Sequence, residues 1–214
     1  MHDTHRDYLP AAGSDWALPL YDPMQKLLGA DRARQKLLDQ AALDSNARVL
    51  DIGCGTGTFV TVIKRSHPSV DVVGLDPDPK ALARARRKAA RAGVSVRFDE
   101  GFSDHLPYPD ASFDRVFSSL MFHHIPDDQR PNSLREIRRV LKPGASFHLV
   151  DFSRPDGGRH RLKHLACASS HFQANSDSRI LSLFQQAGFA NPKKTGEGTM
   201  FLALLRLAYF TAST

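Results

Sequence analysis

From residue 47 onward the apolar positions of the chain alternate between two spacings, one suited to strands and one to helices. Arg48-Val49-Leu50-Asp51-Ile52 is a short apolar run that stops at glycines, as a buried strand does. Phe59, Val62 and Ile63 then share one helical face before Pro68. Val70 to Asp76 predicts a second strand. Asp78 offers an N-cap and Pro79 a first-turn residue for an Ala/Arg/Lys helix that Gly93 stops. Val94, Val96 and Phe98 alternate as a third strand, and Phe113 to Leu120 reads as the fourth. A helix near 131 to 141 lines up Leu134, Ile137 and Leu141, and Lys142-Pro143-Gly144 ends it. Ser146 to Phe152 is the fifth strand. The rhythm breaks over 153 to 175, which is polar and His-rich. It resumes with a helix carrying Ile180, Leu183, Phe184 and Ala187, closed by Gly188. Two last strands, near 193 to 197 and 200 to 209 around Gly198, are joined too tightly for a crossover helix and are expected to pair antiparallel.

This alternation predicts an α/β fold. Its sheet is seven-stranded and mostly parallel, with right-handed crossovers, helices on both faces and an antiparallel C-terminal strand. The expected division is an N-terminal helical lid over residues 1–46, with a helix near 31 to 43, followed by a ligand-binding domain over 47–214. Ligands in such sheets sit beyond the carboxyl ends of the strands, where strand order reverses. The loops after residues 52, 76, 98 and 119 are therefore the places to look for chemistry.

Composition narrows the class. The 214 residues, 41% hydrophobic and 24% charged, describe one globular domain with extensions. No run approaches the roughly 20 apolar residues of a membrane-spanning helix. The start, Met1-His2-Asp3-Thr4, lacks a signal-peptide layout, so the cytoplasm is the expected compartment. Two distant cysteines, Cys54 and Cys167, exclude a disulfide framework and a CxxC site. The net charge of +6 comes from clusters at Lys80 to Arg91, Arg130 to Lys142 and Arg154 to Lys163. The first two lie on helices whose other face is apolar, which makes them solvated faces before they are nucleic-acid surfaces.

The loop after the first strand reads Gly53-Cys54-Gly55-Thr56-Gly57. Glycines between a strand and a helix permit positive φ and let a ligand lie against bare backbone, with the helix N–H groups aimed at the same spot. Asp76 stands 76 − 57 = 19 residues past the last glycine, at the second strand's end, where an acid grips ribose hydroxyls. The third glycine of a dinucleotide fingerprint is replaced by Phe59, which ranks hydride-transferring enzymes last.

Four ordered motifs carry a resemblance: Asp51-Ile-Gly-Cys-Gly-Thr-Gly57, Gly74-Leu-Asp76, Leu106-Pro-Tyr-Pro-Asp-Ala-Ser-Phe-Asp114 and Arg139-Val-Leu-Lys-Pro-Gly144. Together they resemble the class I S-adenosylmethionine (SAM)-dependent methyltransferases of Rossmann-like fold. The subgroup most similar is the small-molecule type that includes the ubiquinone/menaquinone C-methyltransferases. The resemblance implies SAM as cofactor, S-adenosylhomocysteine as product and a small-molecule methyl acceptor. It implies that Asp51 and Gly53, Cys54, Gly55, Thr56 and Gly57 shape the methionine end of the site, that Asp76 binds the ribose, and that Pro77 packs near the adenine. Where the family commonly reads Gly-Asp-Ala, this chain has Gly101-Phe102-Ser103, so Phe102 is expected to stack on the ring and the Ser103 N–H to meet a ring nitrogen. Ser119 matches a position near the cofactor.

Transfer from a sulfonium needs alignment and exclusion of water, and a base only if the nucleophile must lose a proton. His123, and after it His124, are the candidate bases beyond the fourth strand; a packed, locally hydrogen-bonded pair is the alternative. His160 and His164 have helical metal-ligand spacing, with His171 nearby, but no acidic or thiolate partner, so no metal is expected. Residues 153–175, with the region of Trp16 to Met24, are the expected acceptor-side lid, Tyr21-Asp22-Pro23 resembling the family's N-terminal segment. Two rival readings stay open: an RNA or protein methyltransferase, and a non-catalytic SAM-binding regulator. A monomer or homodimer with no nucleic-acid partner is the expected state.

Overall fold

A computed structural model describes residues 27–154, 175–201 and 204–214, together with Asp22 and Met24. Trp16, Tyr21, Pro23, His160, His164, Cys167 and His171, and most of the 153–175 insert expected as a lid, lie outside the described residues. In chain order the elements are α1 (Ala30–Ala41), β1 (Arg48–Ile52), α2 (Thr58–Ser66), β2 (Asp71–Asp76), α3 (Pro79–Arg91), β3 (Arg97–Glu100) and β4 (Phe113–Ser119). A 3₁₀ turn (Phe122–His124), α4 (Arg130–Val140), β5 (Leu141–Arg154), β6 (Asn175–Ser176), α5 (Asp177–Gln186), β7 (Ala190–Met200) and β8 (Leu205–Ser213) follow.

Seven strands run in the order β3-β2-β1-β4-β5-β8-β7, and the two-residue β6 pairs with β5. Among the described residues only β8 runs against its neighbours, antiparallel to both β5 and β7. The direction of winding reverses between β1 and β4, which pair parallel with Asp51 opposite Phe117. The glycine turn leaves the sheet at that reversal.

The alternation of strand side chains divides the core into two layers. Leu50, Ile52, Val73, Leu75, Val116, Phe147 and Leu149 face α4 and α5. Val49, Val72, Phe117 and Val150 face α1, α2 and α3. By the same parity Asp51, Asp76 and Ser119 belong to the α1–α3 layer, and Asp151 to the opposite one. Helix α1 buries Ala33, Leu37, Leu38 and Ala41 in the core it shares with the sheet.

Three element boundaries differ from expectation. Gly93 and Val94 N–H groups still bond the end of α3, so the chain reaches the sheet edge only at Arg97, opposite Val73. The fifth strand starts at Leu141, opposite Phe113, before the Lys142-Pro143-Gly144 turn shifts its register. At the C-terminus the ladder continues past Gly198, which pairs with Leu207, to Met200 opposite Leu205, and Leu204 N–H donates to Phe201 O at 2.9 Å. Glycine is used at 198 because a Cβ there would sit 3.3 Å from the Tyr209 ring.

Candidate active site

The glycine turn is shaped by three left-handed residues, each with its own reason. At Gly57 (φ +74°) a Cβ would lie 2.7 Å from Ala85 Cβ, so glycine lets α3 close on the turn. At Gly53 (φ +71°) it would lie 2.1 Å from Met121 Cγ. Met121, half-buried in the loop after β4, thus lies across the turn. Gly55 (φ +53°) has open space where its side chain would be. That is the geometry of a cradle that a Cβ would fill. Cys54 turns inward, and Gly74 on β2 makes room for its sulfur. Burial pushes the Cys54 thiol well up, so this side chain packs and the turn's contribution at 54 is backbone. Phe59, read above as the missing third glycine although the fingerprint counted from Gly53 puts that position at Thr58, is buried edge-on against Phe117 with ring centroids 5.3 Å apart.

Asp76 is fixed by the same turn. Gly55 N–H donates to its Oδ2 at 2.8 Å and Asp78 N–H to its Oδ1 at 3.0 Å. Burial nevertheless raises its pKa to about 6, against the pull of those two donors. Asp78 caps α3 through a 2.8 Å bond from Lys80 N–H, as its position implies. Asp51, 1% exposed, is pushed to about 8, first by burial and then by the negative charge of Asp76, with Arg34 opposing. Its Oδ1 is buried and has no hydrogen-bond partner among the described residues, as is true of Ser118 Oγ and Ser119 Oγ at the end of β4. By strand parity Asp51, Asp76 and the unpaired Ser119 hydroxyl share one face at neighbouring strand ends, with Ser118 on the other, and such an acidic pair can take up a cationic ligand with amine and hydroxyl donors.

The flank of the turn is occupied by Asp22. It accepts from Thr56 Oγ1 at 2.5 Å and pairs with Lys88 Nζ at 2.6 Å, while Lys88 donates to Thr58 Oγ1 at 2.6 Å. The residue from the family-like N-terminal segment therefore does reach the cradle. On the other side, Gly101 N–H donates to Asp76 O at 3.2 Å and starts the loop of Phe102 and Ser103, both partly exposed. Ser103 Oγ is 2.9 Å from Ser133 Oγ of α4, which draws that side chain toward the helix. Pro77, partly exposed, follows Asp76 directly.

The loop after β4 holds the two histidines differently. His123 is buried: its main-chain N–H donates to Asp151 Oδ2 at 2.7 Å and its Nδ1 lies 2.6 Å from Asp151 Oδ1. His124 is exposed and its ring lies tilted by 40° against that of His123, with centroids 4.0 Å apart. Leu120 precedes them in the left-handed region (φ +56°) and is tied by its N–H to Val150 O at 2.9 Å.

The two remaining family-like motifs serve as braces. Asp114 accepts from Arg48 N–H and from Lys142 Nζ, both at 2.8 Å. Arg139 holds the carbonyls of Leu106 and Tyr108 together with Asp110 and Glu136.

A family model described as "Methyltransferase domain" matches residues 49–144. A demethylmenaquinone methyltransferase of Deinococcus radiodurans is 41% identical over 65% of this chain, and the alignment spans 58% of that relative. One from Lactiplantibacillus plantarum is 32% identical over 83% of this chain and 86% of its own length. The chain belongs to the class I SAM-dependent methyltransferases. Within the solved structures, the [4+2]-cyclase SpnF superposes with a TM-score of 0.75, covering 97% of each chain at 18% identity, and so shares the fold. The class I fold explains why Asp51, Gly53–Gly57, Asp76, Pro77 and Ser119 converge at one sheet edge. Three participants were missed in the sequence. Arg34 gave a signal, being a cation on the apolar stripe of α1 between Ala33 and Leu37. Asp151 did too, as an acid inside the buried run Phe147 to Phe152. Met121 gave none. Among the described residues no group of three or more His, Cys, Asp or Glu could hold a metal, and no helix is long and apolar enough to cross a membrane.

Proposed function

We propose that this protein transfers a methyl group from SAM to a small-molecule acceptor. The observation that carries the reading is the buried Asp51 carboxylate, with an unpaired oxygen, beside an open glycine cradle whose other wall is Asp76. Asp51 would receive the ligand's amino group, the Gly53–Gly57 backbone its methionine chain, and Asp76 its ribose hydroxyls through lone pairs the two loop N–H groups leave over. Pro77 and Phe102 would flank the adenine, with the Ser103 N–H at its edge. Bound there, SAM supplies an electrophilic methyl. The chain's part is to hold the acceptor in line and keep water out. Relatives named as demethylmenaquinone methyltransferases favour a quinol-type acceptor.

Calorimetry with SAM tests the reading: wild type binds, and Asp76→Ala loses about 100-fold in affinity or more. SAM binding left unchanged by that substitution would refute the ribose assignment. The same open cradle would serve a second reading, a SAM-binding regulator without turnover. Conversion of SAM to S-adenosylhomocysteine in the presence of quinol acceptors separates the two.

A further inference from the structure

We propose that Lys88 is a positioning residue for SAM binding. It joins Asp22 of the N-terminal segment to Thr56 and Thr58, so that docking of Asp22 and filling of the glycine turn become one linked event. This rests on the methyltransferase reading above and adds to it how the same site is controlled.

An ammonium has three protons to donate, and Lys88 Nζ, carried by α3, has a partner for each. It lies 2.6 Å from Asp22 Oδ2, 2.6 Å from Thr58 Oγ1 and 3.1 Å from Thr56 Oγ1. Both hydroxyls give their own protons to the same acid, Thr56 at 2.5 Å and Thr58 at 3.3 Å from Asp22 Oδ1. Each hydroxyl therefore accepts from the cation and donates to the anion, and four side chains close a ring. Its members come from the glycine turn, the first residue of α2, α3 and the N-terminal segment. Lys88 follows Ala85 by three residues and so shares the face of α3 that closes on Gly57. Lys88 and Asp22 are 27% and 38% exposed, where salt screens an ion pair less than on the open surface. Burial pulls the Lys88 pKa down and Asp22 pulls it back up, while Arg34 and Asp31 of α1 act with opposite signs. Burial also works against the Asp22 charge, yet the bonds from Lys88, Thr56 and Thr58 hold it below the usual carboxylate range.

The Thr56 hydroxyl proton is committed to Asp22, so what residue 56 offers a ligand is its backbone. With Asp22 docked, that backbone is held from its flank, as the bond from Gly55 N–H to Asp76 holds it from the centre. With Asp22 away, Lys88 and both hydroxyls lose their common acid and the turn loses that flank. Binding free energies are reciprocal: whatever factor Asp22 docking gives to SAM affinity, SAM returns to the docking. Arginine cannot stand in, because a planar guanidinium does not direct three protons at partners grouped around one atom.

The test uses the full chain with SAM as the probe. In calorimetry, Lys88→Met and Asp22→Ala should each bind SAM about tenfold more weakly than wild type. The double variant should lie within about twofold of Lys88→Met alone, since both substitutions break one ring. Lys88→Arg should be as weak as Lys88→Met. For the reciprocal half, the Leu28 amide reports on the N-terminal segment, because its N–H donates to Met24 O at 2.9 Å. SAM should slow the exchange of that amide with deuterated solvent in wild type and leave it unchanged in Lys88→Met. A brace that only stabilised the fold would lower the melting temperature, yet leave SAM affinity well below it and the Leu28 response as in wild type. SAM affinity within about twofold of wild type in both single variants, losses that multiply in the double variant, or a wild-type Leu28 amide indifferent to SAM would each overturn the linkage. Should Lys88→Met fail to fold, Asp22→Ala carries the same comparison of affinity and exchange. Failure of wild type to bind SAM would instead sink the methyltransferase reading.

Discussion

At the scale of single residues, the site is held in a state that favours function over stability. Asp51, raised to about 8, is mostly protonated in the ligand-free protein at neutral pH, and Asp76, at about 6, is mostly ionised. A cationic ligand favours the carboxylate form of Asp51. SAM affinity should therefore rise between pH 6 and pH 8 and level off above, with net proton release at pH 7, measured by calorimetry in buffers of different ionisation enthalpy. A carboxylate whose pKa is raised on folding binds more protons folded than unfolded between about pH 4 and 8. Stability is thus lost as pH rises through that window. Asp51→Asn should raise the melting temperature of the ligand-free protein more at pH 8 than at pH 5, while weakening SAM binding severely; equal gains at both pH values would show that Asp51 is not held protonated. Asp51 and Asp76 could be picked out in the sequence because an acid in a strand's last positions, next to glycines, stands out. The size of Asp51's perturbation could not be foreseen, since it is set first by burial and then by the opposing charges of Arg34 and Asp76, which arrive from other elements.

At the scale of elements, the glycine turn joins three of them, and two of its glycines separate their roles cleanly. Gly57→Ala combines a left-handed backbone with a Cβ 2.7 Å from Ala85, and should cost about 2–4 kcal/mol in urea unfolding. Gly55→Ala faces open space, and should cost only the backbone penalty of about 1–2 kcal/mol while still impairing SAM binding. Every helix and main strand of the described fold was legible from periodicity, because the layers are buried on one face (helices) or both (strands). What was not legible was where pairing begins. The alternation at Val94 and Val96 is real, since both pack against the core, yet α3's last hydrogen bonds delay the strand to Arg97. Gly198 looked like a turn signal, but serves close packing against Tyr209. The motifs at 106–114 and 139–144 identified the family, and their residues brace the sheet's far end more than they touch the cofactor edge.

At the scale of the whole molecule, one sheet carries two cores, and the candidate site straddles its edge: Asp51 and Asp76 share a layer with α1–α3, while Asp151 belongs to the α4–α5 side. A ligand that binds only the folded chain stabilises all of it. SAM at 100 times its dissociation constant should add about 2.7 kcal/mol, or roughly 5–10 °C in melting temperature for a chain of this size. The same concentration should leave Asp76→Ala nearly unmoved, and a shift equal to wild type would place binding elsewhere.

The bond from Gly55 N–H to Asp76 Oδ2 has a further consequence. The loop is fastened before any guest arrives, so the entropy of ordering it is spent while the chain folds and not again at each encounter. Association should then proceed as entry into a finished socket, with residues 53–57 moving by less than about 1 Å. The Gly55 amide should exchange slowly with deuterated solvent even when the socket is vacant.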